Sequence, residues 1–253
     1  MGGREATAMR RREMLGLSGA ALAGSLTLTA CGGSADGARA GAFSPAESSP
    51  AESSPAQAEV PVTPPEDLMR EHGVLKRVLL IYREGIRRIG NGEQVPAQAL
   101  NAGARIIRSF IEDYHEHLEE KYVFPPLKKA GKLTDTVPVL ELQHQRGRVL
   151  TGRILDMTGA SKTPGTGDRR DVVAAMAAFI RMYEPHEARE DTVVFPAFRD
   201  VVPPRRFLEL GEIFEDEEHR RFGSSGFTGV VGQVADIEKT LGIYDLARFT
   251  PKV

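Results

Sequence analysis

The segments HEHLEEKYVFP (residues 115–125) and HEAREDTVVFP (residues 186–196) repeat one pattern within the chain. In each segment a glutamate follows a histidine by four residues, a second acidic residue comes next, and Phe-Pro begins five residues after the glutamate. A step of four residues on an α-helix places two side chains about 40° apart, on the same side of the helix. The repeat therefore predicts two matching helices that project an imidazole and a carboxylate toward a common pseudo-twofold centre.

Apolar residues recur at spacings of three and four in four long segments, which is typical of amphipathic helices. The first helix follows Pro64-Pro65, the second begins near Pro96 and stops at Phe124-Pro125-Pro126, the third runs from about Thr134 to near Gly159, and the fourth follows the loop at 165–168 and stops before Phe195-Pro196. Two further amphipathic segments lie at about 204–222 and 227–242. We predict an all-α protein with an antiparallel up-down four-helix bundle over residues 66–200 and a C-terminal helical extension over 201–253.

Four of the six histidines fall one per long helix, each in register with the apolar stripe of its helix. Burying four imidazoles in one core costs free energy unless each has a partner, and metal ions are partners that use all four together. The glutamates that follow two of these histidines add carboxylates that can bridge two metals, with two histidines on each metal. The candidate metal ligands are therefore His72, His115, Glu119, His144, His186 and Glu190.

The donor types narrow the choice of metal. Cys31 is the only cysteine of the chain, which excludes an intramolecular disulfide, an iron–sulfur cluster and a thiolate zinc site. Nitrogen and oxygen ligands with unfilled coordination positions suit iron and O₂-type chemistry better than a closed structural zinc site. Manganese and zinc remain alternatives, because the same ligands can hold them.

The other histidines and several tyrosines receive simpler interpretations. His117 is about 200° from His115 around its helix and is expected on the surface. His219 lies in a charge run that is typical of a solvated helix face. Tyrosines on the inward stripes are expected to pack with a satisfied hydroxyl, and one of them is a candidate neighbour of a metal-bound oxygen or an oxidisable group. These tyrosines are Tyr82, Tyr122 and Tyr183.

The order of these histidines and glutamates, His … HxxxE … His … HxxxE, resembles the motif of the hemerythrin-like (HHE cation-binding) family. The resemblance covers roughly residues 65–200, with type, spacing and order of the ligands all in agreement. It implies a centre of two non-haem iron ions, and functions around O₂, peroxide, nitric oxide or iron handling.

The chain also departs from the oxygen-carrying hemerythrins. Those proteins have a second histidine in the third helix where this chain has Arg148, and a carboxylate five residues after the last histidine, which here would be Asp191. We expect Glu190 rather than Asp191 to be the ligand, because a step of five residues points about 140° away from the histidine. The missing imidazole favours a centre that turns over rather than one that binds O₂ reversibly.

Residues 1–30 have the positive-then-apolar layout of an export signal. The stretch 11–15 resembles a twin-arginine motif, and Leu28-Thr29-Ala30-Cys31 resembles the lipobox of bacterial lipoproteins, with an uncleaved membrane anchor as the alternative. A mature protein that begins at a lipidated Cys31 would be anchored at the outer face of the cytoplasmic membrane, or in the periplasm or outer membrane. Residues 31–65 are rich in Ser, Pro, Ala and Glu and are expected to form a disordered tether.

These features predict a di-iron protein that handles O₂, peroxide or nitric oxide outside the cytoplasm, as a redox enzyme, for instance a peroxide-consuming oxidoreductase, or as a scavenger. A non-catalytic module that senses or stores O₂ or iron is the alternative, and a structural helical lipoprotein without metal is a further one. The formal net charge of −2 excludes a general electrostatic attraction to nucleic acid. The expected partners are a diatomic or peroxide ligand and a membrane, whereas the sequence does not identify a redox partner.

Overall fold

Helices make up most of the chain that the computed structural model describes, residues 62–159 and 166–253, with the side chains of 166–168 excepted. No strand occurs within these residues, and the predicted all-α helical bundle is confirmed. The helices, in chain order, are α1 (Pro64–Gly90), α2 (residues 97–129), α3 (Val137–Thr158), α4 (residues 166–201), α5 (Pro204–Phe222) and α6 (Gly226–Leu241).

Helices α2 and α4 each contain widened, π-helical turns. In α2 the segments are Ala97–Ile106 (α), Ile107–His115 (π), Glu116–Leu118 (α), Glu119–Val123 (π) and Phe124–Lys129 (α). In α4 they are Thr166–Arg189 (α), Glu190–Val194 (π) and Phe195–Val201 (α). Such turns are frequent at functional sites.

The prediction that Phe-Pro ends the second and fourth helices was wrong. Both helices continue past it, because a π turn precedes each proline: the Phe124 N–H donates to the Glu119 carbonyl and the Phe195 N–H to the Glu190 carbonyl, five residues back. The proline then lies in the first turn of a new α-helical segment. The backbone N–H that proline lacks would have no intrahelical acceptor at this position. The fourth helix also begins earlier than expected, at Thr166.

Helices α1 to α4 form a ring in which α1 and α3 each pack against both α2 and α4. The interior is filled by apolar side chains such as Leu75, Ile111, Ile154 and Met176, each at most 1% exposed. Burial of a side chain of this size stabilises the fold by about 1.5–3 kcal/mol. The exceptions in this interior are polar, and they include the four histidines of the predicted site.

Helices α5 and α6 pack on the face of the bundle formed by α1 and α2. The turn between them depends on Gly226, which has a φ of +42° and whose missing Cβ would lie 2.1 Å from Glu218 Oε1. That oxygen accepts a hydrogen bond of 2.8 Å from the Phe227 N–H at the start of α6. Glycine is therefore required here both by its conformation and by the close approach of Glu218.

Arg77 links α1 to α6. Its guanidinium donates Nε to Oε1 and Nη2 to Oε2 of Glu238, at 2.9 and 2.5 Å, and Glu238 is only 6% exposed. Replacing Arg77 by alanine leaves this buried carboxylate without its cation, so we expect a loss of about 1–3 kcal/mol in the free energy of unfolding, measured by urea denaturation. Arg83→Ala is the matched control, because Arg83 and its partner Glu184 are about half exposed and such a pair contributes about 1 kcal/mol or less. Equal losses for both variants would contradict the prediction.

The predicted export signal, Cys31 and nearly all of the predicted tether lie outside the described residues. Within those residues, no helix combines the length and the apolar character needed to cross a membrane.

Candidate metal centre

Four histidine rings meet in the interior of the bundle, one from each of α1 to α4, and none is more than 3% exposed. The Nε2 atoms of His72 and His115 are 3.0 Å apart, and those of His144 and His186 are 3.2 Å apart. Two nitrogens bound to one ion at about 2.1 Å, at an angle of about 90–100°, lie about 3.0–3.2 Å from each other. Each pair of histidines therefore has the spacing of two ligands of one metal.

Two fully buried carboxylates lie between the histidine pairs. Glu119 reaches both pairs, with Oε1 at 3.5 Å from His115 Nε2 and Oε2 at 3.5 Å from His144 Nε2. Glu190 does the same through Oε2, at 3.1 Å from His186 Nε2 and 3.5 Å from His72 Nε2. None of the four carboxylate oxygens has a hydrogen-bond partner among the residues that the structure describes. A carboxylate buried without donors is costly, so this arrangement fits a cation on each side.

The donor set thus fits two metal ions. Within each of two groups, one ligand atom per residue lies within 4.8 Å of the others. Both groups offer two imidazole nitrogens and a carboxylate, and each carboxylate also approaches the other histidine pair. The structure brings all six predicted ligands together, in the groups His72, His115, Glu119 and His144, His186, Glu190.

The outer nitrogen, Nδ1, of every one of these histidines is hydrogen-bonded to a side-chain oxygen. An Nδ1–H that donates outward leaves the lone pair of Nε2 directed into the centre, which is the usual arrangement of metal-binding histidines. The pairs are His72 with Asp191 Oδ1 at 2.7 Å, His115 with Glu71 Oε2 at 2.7 Å, His144 with Glu120 Oε1 at 3.0 Å, and His186 with Gln143 Oε1 at 2.9 Å.

Comparison with known families agrees with this geometry. The family model of the hemerythrin HHE cation binding domain matches residues 63–198, more than half of the chain and all six candidate ligands. The chain belongs to the hemerythrin HHE family. It is 59% identical over 244 residues to the uncharacterized proteins Rv1995 of Mycobacterium tuberculosis and Mb2018 of Mycobacterium bovis, an alignment that covers 96% of this chain and 92% of each relative. The search of solved structures found no match.

The acidic residue that follows each ligand glutamate supports a histidine of another helix of the hemerythrin bundle. Glu120, next to Glu119, accepts from His144 on α3. Asp191, next to Glu190, accepts from His72 on α1. Glu190 therefore faces the centre while Asp191 lies outside it. The sequence repeat contained both acids, but sequence reasoning did not find this role for them.

The phenylalanine of each repeat packs on the same histidine that the neighbouring acid supports. Phe124 stacks on His144 with ring centroids 5.7 Å apart and planes inclined by 24°, and Phe195 stacks on His72 at 5.6 Å and 20°. All four rings are almost completely buried. These contacts hold the imidazole planes and exclude water from one side of each ring.

Two ion pairs between a buried glutamate and a partly exposed cation flank the centre, and sequence reasoning did not find them. Glu116 forms an ion pair with Arg148 Nη2 at 2.8 Å and accepts a hydrogen bond from the Tyr183 hydroxyl at 2.6 Å. On the opposite side, Glu187 accepts from Lys76 Nζ at 2.7 Å. A signal was present, since each of these glutamates directly follows a ligand histidine and each cation lies four residues after another one.

The three tyrosines and the two remaining histidines lie outside the groups of candidate metal ligands. Tyr183 is near His186, with ring centroids 5.2 Å apart, but its hydroxyl is committed to Glu116. Tyr82 is buried with its hydroxyl unbonded, and Tyr122 is half-buried against Phe214. Outside the metal-ligand groups, His117 and His219 are half-buried rather than exposed.

The buried charges of the centre shift one another's pKa. Burial, followed by the neighbouring Glu190, raises the pKa of Glu119 well above its usual value. Burial and the nearby His72 lower the pKa of His115. Burial alone would lower the pKa of His72, but the hydrogen bond to Asp191 and the nearby carboxylate of Glu190 outweigh it and raise that pKa to about 9. Metal binding would displace the protons that these groups share.

Proposed function

We propose that the protein binds two iron ions in this centre and uses them to bind or reduce O₂, peroxide or nitric oxide outside the cytoplasm. The four histidines and the two glutamates that the geometry brings together would hold the ions, and Glu119 and Glu190, which approach both histidine pairs, would be shared between them. The observation that carries the proposal is the set of four buried carboxylate oxygens without a donor, placed between two pairs of inward-facing imidazoles. Bound iron would supply electrons and open coordination positions for the small ligand.

The chain's own residues prepare the centre for this chemistry. The outward hydrogen bonds at Nδ1 orient each ring so that, once metal binding displaces the shared protons, the Nε2 lone pair is directed inward. Phe124 and Phe195 exclude water beside two of the rings. Arg148 stands where the oxygen carriers have a further histidine, and here it binds Glu116 and Glu120. Each pair therefore has two imidazoles, and this donor set, which is more carboxylate-rich and more symmetric than that of the oxygen carriers, supports turnover over reversible O₂ carriage.

Export and lipid anchoring form part of the same proposal. Residues 1–30 would direct the chain across the cytoplasmic membrane, and Cys31 would carry the lipid. The support for this is the layout of the sequence, with arginines ahead of an uncharged stretch that ends in the lipobox-like Leu28-Thr29-Ala30-Cys31. The tether would then hold the bundle away from the membrane surface.

The test uses full-length protein purified from the membrane fraction of its native host. We expect two irons per chain, an optical spectrum that differs between air and nitrogen, and rapid consumption of hydrogen peroxide. His115→Ala should abolish peroxide consumption, whereas His117→Ala, two residues away on the same helix and outside the centre, should retain it.

Each component of the proposal has its own contrary outcome. Protein without stoichiometric iron would contradict the di-iron assignment. A reversible spectral change on oxygenation, with no turnover of peroxide or nitric oxide, would instead identify a sensing or storage module. Recovery of the protein from the cytosol alone would contradict export.

A further inference from the structure

The groups that support the four histidines are related by the pseudo-twofold symmetry of the bundle, with one chemical exception. Glu120 and Asp191 occupy equivalent positions, each directly after a ligand glutamate, and both are acids. Glu71 and Gln143 also occupy equivalent positions, each directly before the histidine of α1 or α3. In this second pair one member is a carboxylate and the other is a neutral amide.

This exception changes the strength of the hydrogen bond that each imidazole makes through Nδ1. His115 donates Nδ1–H to a carboxylate oxygen of Glu71 at 2.7 Å, whereas His186 donates to the amide oxygen of Gln143 at 2.9 Å. A charged acceptor forms the stronger hydrogen bond and makes the opposite nitrogen of the ring a more basic metal ligand. His115 is therefore the stronger of the two ligands.

The acids that accept hydrogen bonds from the other two histidines differ in the same direction, with the more negative one at the first pair. Glu120, which supports His144, also accepts from Arg148 Nη2 at 2.8 Å, and this guanidinium offsets its negative charge. Asp191, which supports His72, has no lysine or arginine among its ion-pair partners in the described part of the chain.

Further buried acids lie beside both pairs. Carboxylate oxygens of Asp67 and Glu218 lie within 4.8 Å of each other and of Glu71, and all three residues are at most 7% exposed. Asp67 is paired with Arg70 at 3.4 Å, and the buried Glu116 beside His144 is likewise paired with Arg148 at 2.8 Å, so these acids do not distinguish the two sides. The difference between the pairs therefore rests on the residues that accept from the histidines.

We infer that the two metal positions are unequal, and that the His72/His115 position binds a divalent cation more tightly than the His144/His186 position. The first is filled first and emptied last. This inference rests on the proposed function, because it ranks the two sites of the proposed centre. Supporting groups of this kind alter metal affinity by about 10- to 100-fold, which sets the expected separation between the two binding steps.

Cobalt(II) is a suitable probe, because it uses the same ligands and can be located by anomalous X-ray scattering. Full-length protein stripped by a chelator and given one equivalent of cobalt(II) under nitrogen should show most of the anomalous signal between His72 and His115. Calorimetric titration should resolve two binding steps.

Exchanging the residues that accept from His115 and His186 tests whether they cause the difference in metal affinity. Gln143→Glu makes the Nδ1 acceptors of His186 and His115 alike and should strengthen the second binding step toward the first. Glu71→Gln also makes them alike but should weaken the first step toward the second. Gln145→Glu adds the same charge at an exposed position on the same helix and should leave both steps nearly unchanged.

The outcomes separate this inference from the proposal beneath it. Equal anomalous signal at both positions of the unmodified protein would overturn the inference and leave the two-metal centre intact. So would a Gln143→Glu variant whose binding steps match those of Gln145→Glu. If the unmodified protein bound no cobalt(II) at all, the proposed metal centre itself would be contradicted.

Discussion

If the protein binds two metal ions as proposed, the Glu119→Gln variant is expected to lose at least one of them. The side chain keeps its shape, but the amide has only one acceptor oxygen and no charge, so it cannot bridge the two histidine pairs as Oε1 and Oε2 of Glu119 do at 3.5 Å each. Loss of a supporting group weakens metal binding by about 10- to 100-fold, and loss of a bridging ligand should exceed about 100-fold. Metal content after dialysis, with calorimetric titration of the stripped protein, measures this effect.

Glu120→Gln is the matched control, because this neighbouring acid supports His144 from outside the centre. Its effect should stay within about 10- to 100-fold. The metal-free Glu119→Gln protein should be at least as stable to heat as the metal-free parent, because the change removes a buried carboxylate that faces Glu190. A Glu119→Gln protein that retains two tightly bound metals would show that Glu119 does not bridge them.

A second large effect is expected from Gly147→Ala on α3. A Cβ at this position would lie 2.0 Å from the Tyr183 hydroxyl oxygen, so the tyrosine must move and its hydrogen bond of 2.6 Å to Glu116 must break. Overpacking costs about 1–3 kcal/mol, and loss of a hydrogen bond to a charged group costs about 1.5–3 kcal/mol, so the variant should lose about 3–5 kcal/mol of unfolding free energy. Urea denaturation of the metal-free protein measures the difference without a contribution from metal binding.

Gly152→Ala on the same helix serves as the control. The nearest atom to its added Cβ is Arg108 Nη2 at 3.6 Å, an ordinary contact. Alanine is the better helix former, so this variant should be neutral or gain up to about 1 kcal/mol. If the two alanine variants proved equally stable, the close approach of Tyr183 to α3 would be refuted.

The residues brought together at the centre could be predicted because the signal for them is local. A histidine in register with the apolar stripe of its helix must face the core, and a glutamate four residues later must face the same way. This reasoning needs no knowledge of which helices are neighbours. It placed Glu190 inward and Asp191 elsewhere, as they lie in the structure.

The supports of the histidines could not be predicted in the same way, because they act between helices. Glu71 and His115 are 44 residues apart in the sequence, and Gln143 and His186 are 43 apart. Only the packing of the bundle decides which of the many acids and amides reaches a given Nδ1. The same limit applies to Arg148. The sequence identifies it only as the position where the oxygen carriers have a histidine, whereas in the structure it forms ion pairs with two glutamates.

The sequence pattern did not predict the π turns, and the reason here is different. A proline after a long helical stripe usually marks a helix end, so the pattern predicts that both helices stop at Phe-Pro. The repeat carried a contrary signal, since Phe124-Pro125 and Phe195-Pro196 stand at one fixed distance from a ligand glutamate. Two unrelated helix ends would not be expected to share the same number of residues between glutamate and phenylalanine.

The π turns after Glu119 and Glu190 also make the chain sensitive to residues inserted at these points. Each turn already accommodates one residue more than an ordinary α-helical path, so a further inserted residue would rotate everything beyond it by about 100°. Phe124 and Phe195 would then turn away from the rings they cover. Deletion of one residue would instead convert the π turn into an ordinary α turn, so substitutions and single deletions between each glutamate and its phenylalanine should be better tolerated than insertions.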